Sequence, residues 1–243
     1  MQNNWTRRSV LNGAVSMMAA AALTGARALP ENMSADKPQD SGAGSPQNAI
    51  TPAAAFKRIM EGNARYVANQ PSVKDYSAGR AARASAQHPI AAILSCADSR
   101  VAPELIFDQS PGDLFVTRVA GNYMSMDLLA SLEYGVAALN APLIVVLGHS
   151  NCGAVSAVVK NEKKEEALPG HIYMIVDALR PGVQEAVKAG GSDVLSNAIA
   201  DNVKHNVGRL KRAQPVLAKH LADGKLNIVG AVYDLATGQV KMV

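Results

Sequence analysis

The feature that most constrains the fold is a series of four apolar runs, which alternate along the chain with stretches of helical periodicity. Each run is rich in Val, Ile, Leu and Ala, as is typical of buried strands. These strand candidates cover 89–95, 114–119, 142–148 and 226–233. Strands that alternate with helices predict an α/β fold with a mainly parallel central sheet flanked by helices.

Helical patterns fill the intervals between these runs. Thr51 as an N-cap and Pro52 at the first helical position predict an N-terminal helix over 52–69. Further helices are predicted at 126–139, 154–160, 172–179 and 198–221, and a turn at 235–238 leads into a last short strand at 239–243. The mixed charges of 160–166 indicate a solvated helix end or loop. Residues 51–243 therefore fit a single domain with an N-terminal helical arm.

The segment 1–28 has the layout of a secretory signal. Arg7-Arg8 precedes a weakly apolar stretch, and Ala26-Arg27-Ala28 is a small-x-small cleavage site. Paired arginines flanked by Ser and Leu indicate the twin-arginine export machinery. We expect cleavage after Ala28 and a periplasmic protein with no stable membrane insertion, because the apolar stretch is shorter than a membrane span. Residues 29–50, rich in Pro, Ser, Asp, Asn and Gly, are expected to form a disordered linker.

The charge of the chain changes when this signal is removed. The full sequence has 24 Lys and Arg against 20 Asp and Glu, and the segment 1–28 holds three of the arginines and no acidic residue. The mature chain is therefore nearly neutral, with one more basic than acidic side chain. Aromatic residues make up only 4% of the chain, and no basic stripe is visible. Nucleic acid is not expected as a partner.

Both cysteines and one histidine directly follow two of the strand candidates. Cys96 comes after 89–95, and His149 and Cys152 come after 142–148. The carboxyl ends of neighbouring parallel strands meet at one crevice, so these side chains are expected to converge. Two thiolates and an imidazole form the three-ligand set of a catalytic zinc site, which leaves one position open.

A disulfide between Cys96 and Cys152 is the main alternative, because export favours disulfides. A disulfide needs no histidine beside one cysteine and no Asp98 and Arg100 beside the other, so the pattern favours zinc. Asp98 could fill the fourth position at the metal or leave it vacant, and the sequence leaves this question open.

With these residues placed, the chain resembles the β-class carbonic anhydrases over residues 52–243. Six segments carry the resemblance, in the order and at the spacing of that family: Cys96–Glu104, Pro111–Phe115, Arg118–Asn122, Ser131–Gly135, Gly148–Gly153 and Ile228–Asp234. The departures are modest. Val119 stands where many members have Asn, and His205-Asn206 replaces a common helix glutamine. The resemblance implies a single carbonic-anhydrase-like domain that assembles as a homodimer or tetramer.

The resemblance also implies the metal site. Its zinc ligands would be Cys96, His149 and Cys152, with one Zn²⁺ per chain. Asp98 matches a carboxylate that either ligates zinc or pairs with an arginine, here Arg100. In the paired state, Asp98 and Arg100 act as a catalytic dyad that orients a zinc-bound hydroxide for attack on CO₂.

Four further positions match residues around the substrate. Gln87 matches an amide that orients the substrate, and Phe115 and Tyr134 match pocket residues that lie partly across the dimer interface. Gly153 matches a position whose backbone lies near the site. This set resembles the constitutively open branch of the family.

The implied activity is the reversible hydration of CO₂ to bicarbonate and a proton. Two alternatives stay open at this point: hydrolysis of CS₂ or COS on the same zinc site, and a non-enzymatic zinc- or bicarbonate-binding protein of the envelope. His88 and His205 are candidates for a proton shuttle.

Overall fold

Five strands form one sheet at the centre of the domain. The computed structural model describes residues 46–161 and 167–243, and its strands are β1 (Ala91–Ser95), β2 (Leu114–Arg118), β3 (Leu143–His149), β4 (Asn227–Tyr233) and β5 (Val240–Met242). Their order across the sheet is β2-β1-β3-β4-β5. The first four strands are parallel, and β5 is antiparallel to β4. The predicted α/β class with a mainly parallel sheet is confirmed.

The described ranges contain eight helices, of which two precede the first strand and six lie between strands along the chain. They are α1 (Pro52–Val67), α2 (Arg80–Ser85), α3 (Pro103–Ile106), α4 (Met126–Ala137), α5 (Gly153–Lys160), α6 (Ile172–Ala189), α7 (Val194–Lys211) and α8 (Val216–Ala222). The helix predicted from Thr51 and Pro52 begins where expected. The Thr51 hydroxyl accepts a hydrogen bond from the Ala54 amide at 3.2 Å, which satisfies one of the free donors at the helix start.

The two central strands are covered on both faces. Every residue of β1 and β3 is buried, which explains why both read as unbroken apolar runs. Ile93 and Val145 pack with Ile59 of α1 on one face. Leu94 and Val146 pack with residues of α4 and α7 on the other face.

The strand order fixes where a ligand can bind. From β1 the chain passes to β2 on one side, and then crosses back to β3 on the other side of β1. In an open α/β sheet, the crevice at the carboxyl ends of two such strands is the ligand site. The carboxyl ends of β1 and β3 are the positions that Cys96 and His149 occupy.

Two helix predictions are wrong in extent. The single helix predicted over 198–221 is two helices, α7 and α8, because Pro215 has no backbone N–H and restricts the residue before it. The helix predicted over 172–179 continues to Ala189 through Pro181. Burial of Leu179, Val183 and Ala186 against α5 and α7 outweighs the hydrogen bond that this proline removes.

Two short helices, α2 and α3, were not predicted. The residues of α2 are half-exposed or exposed, so they carry no apolar periodicity. Helix α3 has only four residues, which is too short for a helical period to show.

The N-terminal predictions lie almost entirely outside the described residues. These are the signal at 1–28 and the linker at 29–50, apart from residues 46–50, which lie against the domain. Asn48 is buried, and its side chain donates a hydrogen bond to the Leu139 carbonyl. Most of the charged run at 160–166 is also outside the described ranges. Over 46–161 and 167–243, no helix combines the length and the apolar character that a membrane crossing requires.

Candidate metal centre and its surroundings

Three candidate ligands converge at the carboxyl ends of β1 and β3. Cys96 follows the last residue of β1, His149 is the last residue of β3, and Cys152 is the N-cap of α5. Their sulfur and imidazole nitrogen atoms all lie within 4.8 Å of one another, and all three residues are buried. Neither cysteine forms a disulfide. The structure thus brings the predicted Cys₂His set together and gives the disulfide alternative no support.

A tight turn after β3 orients the imidazole. The Ser150 amide donates to the Tyr233 carbonyl at 2.8 Å, and Asn151 takes a left-handed conformation with φ of 55°. The His149 Nδ1 atom lies 2.9 Å from the Ser150 carbonyl, so Nδ1 carries the proton and Nε2 is the free nitrogen. Nε2 is fully buried and has no hydrogen-bond partner among the described residues. A buried, unprotonated imidazole nitrogen beside two sulfur atoms suits a metal ion such as zinc.

A hydrogen bond between the two cysteine side chains shifts their pKa values in opposite directions. A hydrogen bond from Cys152 lowers the pKa of Cys96, an effect that outweighs the burial of the thiol. The same hydrogen bond, together with burial, raises the pKa of Cys152. Burial alone would lower the pKa of His149, but its contacts with Cys96, Ser150 and Asp98 raise it overall. Metal binding at this point would require both cysteines as thiolates and would therefore release protons.

Asp98 lies beside this cluster but is held by Arg100. The Arg100 guanidinium donates from Nε to Oδ1 at 2.9 Å and from Nη2 to Oδ2 at 2.7 Å, and the Arg100 amide donates to Oδ1 at 2.9 Å. These hydrogen bonds hold the pKa of the Asp98 carboxyl well below its usual range. Asp98 Oδ2 is 3.9 Å from His149 Nε2. Asp98 is therefore ionised, adjacent to the candidate metal position, and engaged with an arginine.

Backbone and arginine contacts support Cys96 from the β2 side. The Gly121 amide donates to Cys96 Sγ at 3.2 Å. Arg118 donates to the Cys96 carbonyl at 2.8 Å and to the Asp98 carbonyl at 2.6 Å. The segment 118–122 carried part of the family resemblance, but these roles were not predicted for it. The only sequence signal for them was the position of this segment directly after a strand end.

The substrate residues implied by the resemblance lie elsewhere on the chain. Gln87 and Tyr134 line a cavity of about 650 Å³ together with residues of α2 and the 111–112 turn. The rings of Phe115 and Tyr134 have centroids 6.1 Å apart. Phe115 pairs with Ala92, four residues before Cys96, which corresponds to about 13 Å along the strand direction. Within one chain, this set and the metal candidates occupy different levels of the sheet.

The remaining predicted site residues have simpler surroundings. Gly153 is the first residue of α5, next to Cys152, and a Cβ atom there would meet open space. His88 is exposed, whereas His205 is half-buried in α7. Burial and the charges of Arg209 and Arg212 lower the pKa of His205. Nothing in the structure selects either histidine as a proton shuttle.

Comparisons with known proteins agree with the fold and the site. The family model described as carbonic anhydrase matches residues 91–240. The chain is 42% identical to the carbonic anhydrase of Mycolicibacterium smegmatis, over 79% of this chain and 93% of that protein. It is 41% identical to carbonic anhydrase 2 of Mycobacterium tuberculosis, over 77% and 91%. It also resembles the structure of Coccomyxa β-carbonic anhydrase in complex with acetazolamide, with a TM-score of 0.60, 31% identity, and 69% and 77% of the two chains covered.

The chain has a mainly parallel α/β sheet with a Cys₂His cluster at its central crevice. Together with the match to this family model and these relatives, this arrangement defines the class of protein. The chain belongs to the β-class carbonic anhydrase family of enzymes.

Proposed function

We propose that the chain catalyses the zinc-dependent reversible hydration of CO₂ to bicarbonate and a proton, at a site held by Cys96, His149 and Cys152 with one Zn²⁺ per chain. The observation that carries this proposal is the buried Nε2 atom of His149, which lacks a partner among the described residues and lies beside two free sulfur atoms. Bound zinc supplies a Lewis acid that allows water to ionise near neutral pH, as is established for three-histidine carbonic anhydrases. The relatives are named for this activity, which favours it over CS₂ or COS hydrolysis and over a non-enzymatic role.

Asp98 and Arg100 are proposed to orient the attacking water. Because Arg100 occupies both carboxylate oxygens, Asp98 stays off the metal position and leaves it open. Oδ1 already accepts two hydrogen bonds from Arg100, whereas Oδ2 accepts one and retains capacity for another. An ionised Asp98 next to His149 Nε2 can accept a hydrogen bond from the attacking water or hydroxide and so direct the lone pair of that oxygen at the CO₂ carbon.

Gln87, Phe115, Tyr134 and Gly153 are proposed to form the substrate side of the site. The Gln87 amide would donate to a CO₂ oxygen and stabilise the developing bicarbonate charge. Phe115 and Tyr134 would provide an apolar wall for a nonpolar gas. Gly153 lies beside Cys152 in the same chain. Because Gln87, Phe115 and Tyr134 lie at a different level of the sheet from Cys96 in one chain, we propose that a second copy supplies these three across a homodimer, which can further pair into a tetramer.

The proposed zinc set is tested by replacing one ligand. Cys152→Ala leaves an incomplete set, so the purified variant is expected to lose both zinc and CO₂ hydration. Val155→Ala is the control, because Val155 is equally buried in the same cluster and offers no ligand. Zinc content and the stopped-flow hydration rate are measured for both. A Cys152→Ala protein that keeps one zinc and a near-normal rate contradicts the assignment.

We further propose that the protein is exported to the periplasm by the twin-arginine machinery and cleaved after Ala28. This proposal is supported by the order of the paired arginines, the apolar stretch and the small-x-small site. The twin-arginine route carries folded proteins. Such a route suits a site that must bind zinc on two reduced cysteines before it meets an oxidising compartment.

A further inference from the structure

A series of hydrogen bonds connects Cys96, through Gly121, to buried residues of α7. Gly121, whose amide donates to Cys96 Sγ, has a φ of 83°, and a Cβ atom there would lie 2.6 Å from Leu179 Cδ1. Only glycine fits at this point. Glycine is also the residue whose peptide groups rotate most freely, so the direction of this N–H group needs a second anchor.

Asn202 provides that anchor on the other side of Gly121. Its Nδ2 atom donates to the Gly121 carbonyl at 2.8 Å, and the residue is only 1% exposed. The Gly121 carbonyl and the Gly121 amide flank a single Cα atom. A fixed carbonyl therefore limits how far the amide can turn away from the sulfur.

A second buried asparagine determines which way the Asn202 amide points. Asn206, one helical turn later, accepts a hydrogen bond from the Met124 amide at 2.8 Å. A backbone N–H group can only donate, so this contact fixes the oxygen of Asn206. Its Nδ2 atom then donates to the Asn202 carbonyl at 2.8 Å and to Asn202 Oδ1 at 3.0 Å. With Oδ1 so occupied, Asn202 must present its NH₂ group to Gly121.

Close helix packing holds this pair in place. A Cβ atom at Gly182 of α6 would lie 2.9 Å from Asn202 Oδ1, so the absence of a side chain at Gly182 lets α6 pack directly against the Asn202 amide. Arg209 of α7 donates to the Met124 carbonyl at 2.9 Å and ties the same loop to the helix. The chain of contacts from Met124 to Cys96 is buried and fully oriented.

We infer that Asn202 and Asn206 are positioning residues for the metal ligand Cys96: through the Gly121 amide, they fix the direction of its sulfur and draw charge from it. This inference rests on the zinc site proposed above. Hydrogen bonds to ligand atoms orient ligands and tune the metal, and their loss typically weakens metal binding by about 10–100-fold. The direction of the Gly121 amide at the Cys96 thiolate would thus depend on the side-chain amides of Asn202 and Asn206, neither of which contacts metal or substrate.

The test replaces one buried amide by its isosteric acid and measures the metal rather than the activity. Asn202→Asp puts an oxygen opposite the Gly121 carbonyl, so two acceptors face each other. Asn63→Asp is the matched control. Asn63 is also buried, donates to the Ile106 and Gly238 carbonyls and accepts from the Val240 amide. Val240 is in β5, which is three strands across the sheet from β1 and Cys96. Both variants are measured as zinc-loaded and as cobalt-substituted protein, with thermal unfolding midpoints recorded in parallel.

The expected result is a change confined to one variant. Asn202→Asp should release zinc to an excess of a chromogenic chelator about 10–100-fold faster than wild type. It should also shift the sulfur-to-cobalt charge-transfer band. Asn63→Asp should leave the zinc release rate and the charge-transfer band unchanged, even if its unfolding midpoint falls as far as that of Asn202→Asp. If Asn202→Asp does not fold, Asn206→Asp decides the question, because it retains an acceptor for Met124 but removes the donor to Asn202.

Three outcomes overturn the inference. One is a folded Asn202→Asp protein, or a folded Asn206→Asp protein in its place, that releases zinc at the wild-type rate and shows an unshifted sulfur-to-cobalt charge-transfer band. The second is an equal change in Asn63→Asp, which would mean that general destabilisation loosens the metal. The third is a wild-type protein that holds no zinc, and this result alone also overturns the proposed function.

Discussion

At the scale of single residues, the state of the site depends on which cation Asp98 contacts. Arg100 is largely exposed, whereas Asp98 is mostly buried and only 3.9 Å from His149. An exposed ion pair contributes little to stability. We propose that its contribution is to geometry, because the two-point contact of guanidinium with carboxylate holds both Asp98 oxygens on Arg100 and so keeps them from ligating the metal.

Arg100→Ala is expected to give a zinc-loaded protein with little CO₂ hydration at pH 8. An aspartate without a partner still ionises near pH 4. Asp98 therefore remains charged at pH 8 in the variant, and its nearest cation becomes the metal. The double variant Arg100→Ala, Asp98→Ala should recover part of the rate, because the blocking carboxylate is gone but the orienting acceptor is gone with it. Zinc content and stopped-flow rates distinguish these states.

Lys219→Ala serves as the control for loss of an exposed ion pair, since Lys219 pairs with Asp223 on the surface of α8. It should hydrate CO₂ at the wild-type rate. Most of the wild-type rate surviving in Arg100→Ala would mean that Asp98 and Arg100 form only a loop salt bridge.

At the scale of helices and strands, the sequence predicted the elements that carry apolar periodicity. β1 and β3 were located because burial on both faces makes them continuous apolar runs, and their carboxyl ends then placed the cysteines and His149. The break at Pro215 and the run of α6 through Pro181 were missed, because a proline interrupts the helix in the first case. In the second case the helix continues through the proline, because packing of α6 against α5 and α7 outweighs the lost hydrogen bond. Asn202 and Asn206 were missed as well. A buried amide in a helix has the same sequence appearance as a solvated one, and the loop partners of these two lie far from them along the chain.

The separation of Gln87 from Cys96 predicts complementation between two inactive chains. When Gln87→Ala and Cys152→Ala chains are mixed at equal amounts and allowed to form dimers, half of the dimers are mixed. Each mixed dimer has one site with an intact metal set and an intact partner glutamine. The expected CO₂ hydration rate is about a quarter of the wild-type rate, well above either parent.

Mixing Cys152→Ala with Cys96→Ala is the matched control. Every chain then lacks a ligand, so no site can be restored by exchange. If the glutamine mixture is no more active than its parents while size measurements show mixed dimers, each substrate site is completed within its own chain.

At the scale of the whole molecule, the basic character of the sequence belongs partly to the segment 1–28. If this segment is cleaved as proposed, basic side chains outnumber acidic ones by only one, and the remaining chain has no charge excess that would favour an acidic partner. The proposed export and the proposed metal site make opposite demands on the cysteines, because one delivers them to an oxidising compartment and the other needs them reduced; delivery after folding would reconcile the two.

Replacing Arg7-Arg8 by Lys-Lys is expected to trap the precursor in the cytoplasm, because the route depends on the paired guanidinium groups. Arg27→Lys, in the same leader but outside the pair, should be exported normally. Cell fractionation followed by N-terminal sequencing of the mature protein measures both effects. Wild-type amounts of periplasmic protein from the Lys-Lys variant would indicate the general secretory route.

The central claim is that one zinc ion, held by Cys96, His149 and Cys152, is required for CO₂ hydration. The most direct measurement is a zinc titration of the metal-free protein, with the stopped-flow hydration rate recorded at each addition. We expect no catalysis without metal, a rate that rises in proportion to added zinc, and a plateau at one zinc per chain. Full hydration activity in the metal-free protein, or a zinc-saturated protein with none, would contradict the claim.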